Sequence, residues 1–197
     1  MGRSRPTSPT CTRSGVAGPD PTNPGHAYAE VRRFMETFCI AKGAESGFEV
    51  KIGRAFAFVG PYMPLGCLYA ICHFMEDALR GRPIVISSDG TPVRSYLYAA
   101  DLAIWLWTIL LRGESGRPYN VGSDIPTTVR QAAESVADAV EHRPSIKVRG
   151  LSETGMSGHT YIPSVGRANS ELGVQQWIPL ADAIRRTIEW HRSVGFR

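Results

Sequence analysis

The sequence predicts an α/β fold in which crossover helices cover a largely parallel sheet. Three observations carry this. Helical and extended patterns alternate along the chain, which is the signature of strand–helix–strand units. The composition, 43% hydrophobic and 20% charged, is that of a globular chain. The length, 197 residues, is enough for a domain with a sizeable core.

The elements follow in order. Residues 1–27 hold five prolines and four glycines with many Ser, Thr and Arg, and show no period of 2 or 3.6. They are read as a disordered or unmatched tail, and 28–197 as the folded part. From Ala27 a helix is predicted to about Ala44, with Tyr28, Val31, Met35, Phe38 and Cys39 on one stripe and Gly43 and Gly47 at its end. A strand is expected over Phe48–Phe58, stopped by Gly60-Pro61. Leu68, Ile71, Cys72, Met75 and Leu79 then make an amphipathic stripe that ends at Gly81. A short strand at Pro83–Ile86, a turn at Asp89-Gly90 and an extended piece at Ser95–Tyr98 lead into an apolar helix from about Ala100 to Arg112. Trp105 and Trp107 point to different sides of that helix, so both faces are expected to be covered. Tyr119–Val121 is a strand. Thr128 and Gln131 form a capping box that opens a helix to about Glu141. Ser145–Val148 is the last strand, Tyr161–Pro163 is extended or irregular, and Leu180, Ala183, Ile184, Thr187, Ile188 and His191 mark a closing helix.

Composition excludes some functions. The net charge is +4, but three arginines and one acid lie in the first 27 residues, so the rest carries +2. A nearly neutral body is a poor nucleic-acid binder, and no nucleic-acid partner is expected. The longest apolar run, Leu102 to Leu111, is too short for a bilayer, which needs ~20 residues. No membrane association is expected. The N-terminus lacks the apolar region of a signal peptide. Cysteines stand at 11, 39, 67 and 72 without a Cys-x-x-Cys pair or zinc-finger spacing, so no metal site is expected. They are read as reduced thiols of a cytoplasmic protein.

Several residues could carry chemistry. No glycine-rich phosphate loop follows a strand, and Gly15 and Gly18 lie in the proline-rich tail. Tyr28 and Arg32, four apart, share one helical face. A cation beside a phenol lowers its pKa, which suits a tyrosine base, although the pair also reads as surface packing. Arg54 lies on a strand. Arg94 follows the Asp89-Gly90 turn and precedes Tyr96 and Tyr98; its planar fork suits a diphosphate, or it is a solvated turn residue. His73 lies off its helix's apolar stripe and reads alone as a surface histidine. Tyr119-Asn120 ends a strand, where open α/β sheets collect ligands.

Taken in order, these pieces resemble the extended short-chain dehydrogenases/reductases, within them the NAD-dependent epimerase/dehydratase group that acts on nucleotide sugars. The helix Tyr28-Ala-Glu-Val-Arg32 is similar to the family's Tyr-x-x-x-Lys helix. The run Arg54-Ala-Phe-Ala-Phe-Val-Gly-Pro61 resembles its Arg-x-Phe-Asn-x-Tyr-Gly-Pro strand. Asp77 to Ile84, Asp89 to Tyr96, Asp101 to Ala103 and Tyr119 to Ser123 match later landmarks in the right order. The likeness covers about residues 16–190.

The resemblance implies the C-terminal part of a Rossmann-type parallel sheet plus a small α/β substrate-binding region, with the N-terminal dinucleotide-binding half missing. It implies NAD as cofactor, a nucleotide sugar as substrate, and a homodimer. By position Tyr28 would be the base, Arg32 would stand where the family has Lys on the nicotinamide ribose, and Phe56 would face the cofactor. Arg94 would hold the diphosphate, with His73 and Asn120 lining the nucleotide pocket. The chain departs from the family at Arg32 for Lys, at Ala57 for Asn, and in the glycine turn and the Ser/Thr partner of the tyrosine. The expected function is therefore that of a nucleotide-sugar epimerase/dehydratase, oxidising a sugar hydroxyl before dehydration or epimerisation, but inactive by itself. The alternative is a non-catalytic remnant that binds a nucleotide sugar or a protein.

Overall fold

The fold is built from the predicted alternation, with one more helix and more, shorter strands. A computed structural model describes residues 20–67, 69–150 and 160–195. The end of the expected tail is ordered by local bonds: Asp20 Oδ1 accepts from Thr22 N at 2.9 Å and Asn23 Oδ1 from Gly25 N at 2.9 Å, leading into a 3-10 turn at Pro24–His26.

Helix α1 is Ala27–Ser46, and Gly47 closes it in the left-handed conformation at φ 74°. Gly43 is not its end. It is the one buried residue of the helix, where a Cβ would meet Val50 Cγ2 at 2.6 Å. The stripe of Tyr28, Val31, Met35, Phe38 and Cys39 lies in solvent instead of against a core.

The single strand expected over 48–58 is two, β1 (Ile52–Ala55) and β2 (Phe58–Val59). They pair with different partners, so the chain changes ladders between them. Phe56 N donates to Val121 O at 2.9 Å, and Leu97 N donates to Ala57 O at 3.1 Å.

Helix α2 is Ala70–Leu79, with Ile71, Cys72 and Met75 buried; Leu68, placed on the same stripe, lies outside the described residues. Strands β3 (Ile84–Ile86), β4 (Val93–Arg94) and β5 (Leu97–Tyr98) precede α3, Ala99–Arg112. Only one side of α3 is covered: Trp105 is 1% exposed and Trp107 63%. Then come β6 (Pro118–Val121), β7 (Thr127–Thr128) and α4 (Val129–Asp138). The capping box forms, with Gln131 N on Thr128 Oγ1 at 3.0 Å and Thr128 N on Gln131 Oε1 at 2.8 Å. Strand β8 is Ile146–Val148. Helix α5, Gly166–Leu172, has no counterpart in the sequence reading, because seven residues are too few to show a period. The closing helix α6 is Leu180–Ser193.

Among the described residues the strands form four pairs. β1–β6, β2–β5 and β3–β8 are parallel, and β4–β7 is antiparallel. Two cores result. One joins α2, α4 and α6 around Met75, Ile84, Val136 and Ile184. The other gathers Leu97, Trp105, Tyr119, Val121 and Leu172. Strand β5 divides them by its period of two, Leu97 facing one core and Tyr98 the other. Close approach fixes the junction: a Cβ at Gly60 would sit 2.3 Å from Ala99 Cβ.

Asp101 is buried, and its Oδ2 accepts from the backbone N–H of Trp177 at 3.1 Å and Ile178 at 3.0 Å. Trp105 Nε1 donates to Gln175 O at 2.9 Å. These bonds hold 175–178 against α3. Two of the four cysteines correct the expectation of free thiols, and Cys11 lies outside the described residues. Cys67 and Cys72 are joined in a disulfide, because the first turn of α2 brings a buried Cys72 under the preceding loop. Cys39 is free and exposed. Among the described residues no helix is long and apolar enough to cross a membrane, and no cluster of His, Cys, Asp and Glu could hold a metal ion.

Candidate functional site

A cavity of about 460 Å³ opens where α2, β3, β4 and α4 meet. Its polar wall is made by His73, Arg82, Ser87, Ser88 and Arg94. Each is placed by a simple local cause. His73 follows the buried Cys72 by one residue, so the helical turn sends it outward. Ser87 and Ser88 follow the carboxyl end of the parallel strand β3, the end where such sheets bind ligands. Arg94 lies on a strand and not, as expected, on the turn before it. Its register with Thr127 across the antiparallel pair fixes its position, and its Nη1 donates to Val93 O at 2.8 Å.

The turn between β3 and β4 is held by its own side chains. Asp89 Oδ1 accepts from Thr91 N at 2.9 Å and Thr91 Oγ1 at 2.8 Å, and Gly90 N donates to Ser88 Oγ at 3.2 Å. Gly90 takes φ 87°, and a Cβ there would press on Arg130 at 3.2 Å. The acids of the wall are engaged: Glu76 meets Arg80 at 3.0 Å and Asp77 meets Arg82 at 2.8 Å. Burial pushes the Tyr96 phenol above its ordinary pKa, and the charge of Arg94 works against that shift. Arg82 is held by Asp77 and Glu76, so the arrangement offers the Arg94 guanidinium, two hydroxyls and an imidazole to a polar ligand.

A second cavity, about 420 Å³, lies beside it and is mostly apolar. Phe56, Tyr62, Met63, Cys67 and Tyr96 contribute to its lining. The Phe56 ring lies 5.2 Å from that of Tyr161, and the Tyr62 ring 4.5 Å from that of Trp190. Tyr96 and Arg94, two apart in the chain, place the two cavities next to each other.

The structure therefore brings His73 and Arg94 into one cavity and puts Phe56 in its neighbour. Asn120 is buried, and its Nδ2 donates to Ser164 O at 2.9 Å, so its amide ties β6 to the segment before α5. Tyr28 and Arg32 do contact each other: Arg32 Nη2 donates to Tyr28 Oη at 2.7 Å, with the guanidinium 5.0 Å from the ring centre. Both are exposed, and neither lines either of the two large cavities. The residues expected to hold a dinucleotide do not form one cradle among the described residues, and no chemical step is assigned through it. Arg54 is bound by Glu36. The sequence reading missed Arg82, Ser87 and Ser88. A serine pair directly after a strand was the available signal.

Residues 3–122 match the family model described as NAD dependent epimerase/dehydratase. The chain belongs to this family. The matched stretch starts inside the segment 1–27 that the sequence reading set apart. UDP-glucuronic acid decarboxylase 5 of Arabidopsis thaliana is 27% identical over 157 residues, 80% of this chain and 45% of that protein. UDP-glucuronic acid decarboxylase 1 of Xenopus tropicalis is 27% identical over 174 residues, 88% of this chain and 41% of that protein. The chain spans about half the length of the relatives it matches. Among solved structures, the UDP-glucose 4-epimerase of Thermotoga maritima with UDP-glucose superposes with a TM-score of 0.74 at 22% identity, over 85% of this chain and 53% of that one. The Bordetella bronchiseptica enzyme WbmF with NAD+ and UDP gives 0.76 at 20%, over 88% and 54%. At these identities the structures establish the fold alone, a Rossmann-like α/β arrangement.

Proposed function

We propose that this chain supplies the nucleotide-sugar site of an NAD-dependent epimerase/dehydratase and does not carry out the oxidation by itself. The observation that carries the reading is the convergence of Arg94, Arg82, His73, Ser87 and Ser88 on one cavity at the carboxyl end of β3. A guanidinium with flanking hydroxyls suits a diphosphate, because the planar fork meets two phosphate oxygens at once. The adjoining aromatic and apolar cavity would take the less polar part of the same ligand. The exposed Tyr28–Arg32 pair supports the second half of the statement, since a base in open solvent is not held against a substrate.

The proposal is tested by thermal shift and calorimetry with UDP, dTDP and their sugars, and separately with NAD. Stabilisation by a nucleotide diphosphate, weakened at least tenfold in Arg94→Ala, is expected. Absence of any stabilisation by these ligands would overturn the site. Turnover of a UDP-sugar by the chain alone would overturn the statement that it does not catalyse. Self-association is part of the same reading. So is a cytoplasmic location, which the Cys67–Cys72 bond argues against, because cytosolic thiols are kept reduced. Thiol labelling at the moment of cell lysis decides between them.

A further inference from the structure

We propose that the Cys67–Cys72 disulfide is a redox site, opened by a dithiol that attacks Cys67, and that its opening frees the loop walling the apolar cavity. The site stands on that cavity and not on the nucleotide-sugar reading. The two sulfurs are not equivalent. Cys67 is half-buried and lines the apolar cavity, whereas Cys72 is fully buried in the core. A thiolate that enters the cavity therefore meets Cys67 first.

Thiol–disulfide exchange depends on access to the attacked sulfur and on the acidity of the one that leaves. Cys72 is the third residue of α2, whose start carries no side-chain cap. The N–H groups of a first helical turn favour a thiolate there. The attacking thiolate bonds to Cys67 Sγ, the S–S bond breaks, and Cys72 leaves as a thiolate that takes up a proton. The donor's second thiol then gives up its proton and displaces Cys67, which takes it. Two electrons pass from the dithiol to the disulfide, leaving two protein thiols and an oxidised donor.

The bond lies where its opening changes the cavity. Pro61, Tyr62, Met63, Pro64 and Cys67, all from one loop, supply one side of the lining. Three ties hold this loop down. The Tyr62 ring, on a backbone in the left-handed region at φ 66°, packs against Trp190 of α6. The Met63 backbone is hydrogen-bonded to the buried His191 ring of the same helix. The disulfide is the third tie and fixes the far end of the loop to α2. Inside the loop the backbone bonds are long, with Met63 N on Gly60 O and Cys67 N on Pro64 O, both at 3.3 Å. A segment bonded this weakly opens at low free energy once its covalent tie is cut. The opposite wall stays in place, because Phe56 N donates to Val121 O and Ala57 O accepts from Leu97 N.

Reduction of the native full chain by dithiothreitol, followed by alkylation and mass spectrometry, tests the site. The rate is expected to change by less than about twofold in about 1 M urea, because the attack needs no global unfolding. Acceleration on the order of tenfold in that urea would show that the bond opens only when the chain unfolds, and would overturn the proposal. Glutathione disulfide is expected to mark Cys67 in Cys72→Ser at least about tenfold faster than Cys72 in Cys67→Ser. Equal marking, or the reverse order, would overturn the assignment of the attacked sulfur. Circular dichroism of both variants checks that the fold is kept, and the wild-type urea test stands without them. On reduction of the wild type, hydrogen exchange at Tyr62–Cys67 is expected to rise at least about tenfold more than that of Val129–Asp138 in α4, and to return on reoxidation. An equal rise in both segments, or none at Tyr62–Cys67, would show that the bond does not control the cavity wall.

Discussion

Arg54 and Glu36 form a two-pronged ion pair, with Nε to Oε1 at 2.8 Å and Nη2 to Oε2 at 2.6 Å. The carboxylate's hydrogen bond holds the guanidinium proton more tightly and outweighs the effect of partial burial. The pair is the main polar clasp between α1 and the sheet. Both side chains keep about a third or less of their exposure. Glu36→Gln is therefore expected to cost about 1 kcal/mol, at the upper end for accessible pairs because the geometry is bidentate. Urea unfolding of the variant checks it. Exchange of the α1 amides should rise more than that of α4.

Asp101 is the acceptor for two backbone N–H groups that have no other bond here. Asp101→Ala leaves both without this acceptor in a partly buried place. A loss of about 1–3 kcal/mol is expected. Asp101→Asn keeps one acceptor and should recover part of it. Chemical denaturation of the three proteins measures the difference.

His191 is held below its ordinary pKa of 6.5, chiefly by burial, with the Met63 backbone acting in the opposite sense. A neutral buried imidazole favours the folded state only while the unfolded chain is also neutral. Its contribution is present above the unfolded pKa and is lost as pH falls through 6.5 towards the lowered folded value. Melting temperature should thus decline from about pH 7.5 to pH 5. His191→Gln is expected to flatten that decline.

The bond between Cys67 and Cys72 closes a loop of only five residues in sequence. Loop-closure entropy predicts a contribution of about 2 kcal/mol for so short a ring. Dithiothreitol should lower the melting temperature of the wild type and leave Cys67→Ser with Cys72→Ser unchanged. Alkylation without reductant should label Cys39 and spare the bonded pair.

Local signals in the sequence determined most of the elements. The 3.6-residue periods set α2 and α6, the apolar run set α3, and the Thr128–Gln131 box set the start of α4, because these depend on neighbours within a few turns. The order of short motifs, from Tyr28 to Ser123, was enough for the family. His73 and Arg94 were legible as candidates, each weakly. That they share a cavity with Ser87 and Ser88 follows from the β3–β8 and β4–β7 pairings, which join segments far apart in the chain. The tertiary structure likewise decided that Arg54 faces Glu36, that Asn120 binds Ser164 O, and that the strand over 48–58 breaks to serve two ladders. It also decided the fate of the apolar stripe on α1. A period states that a face is apolar, but whether that face is buried depends on what packs there, and in a single copy Phe34 and Phe38 meet solvent.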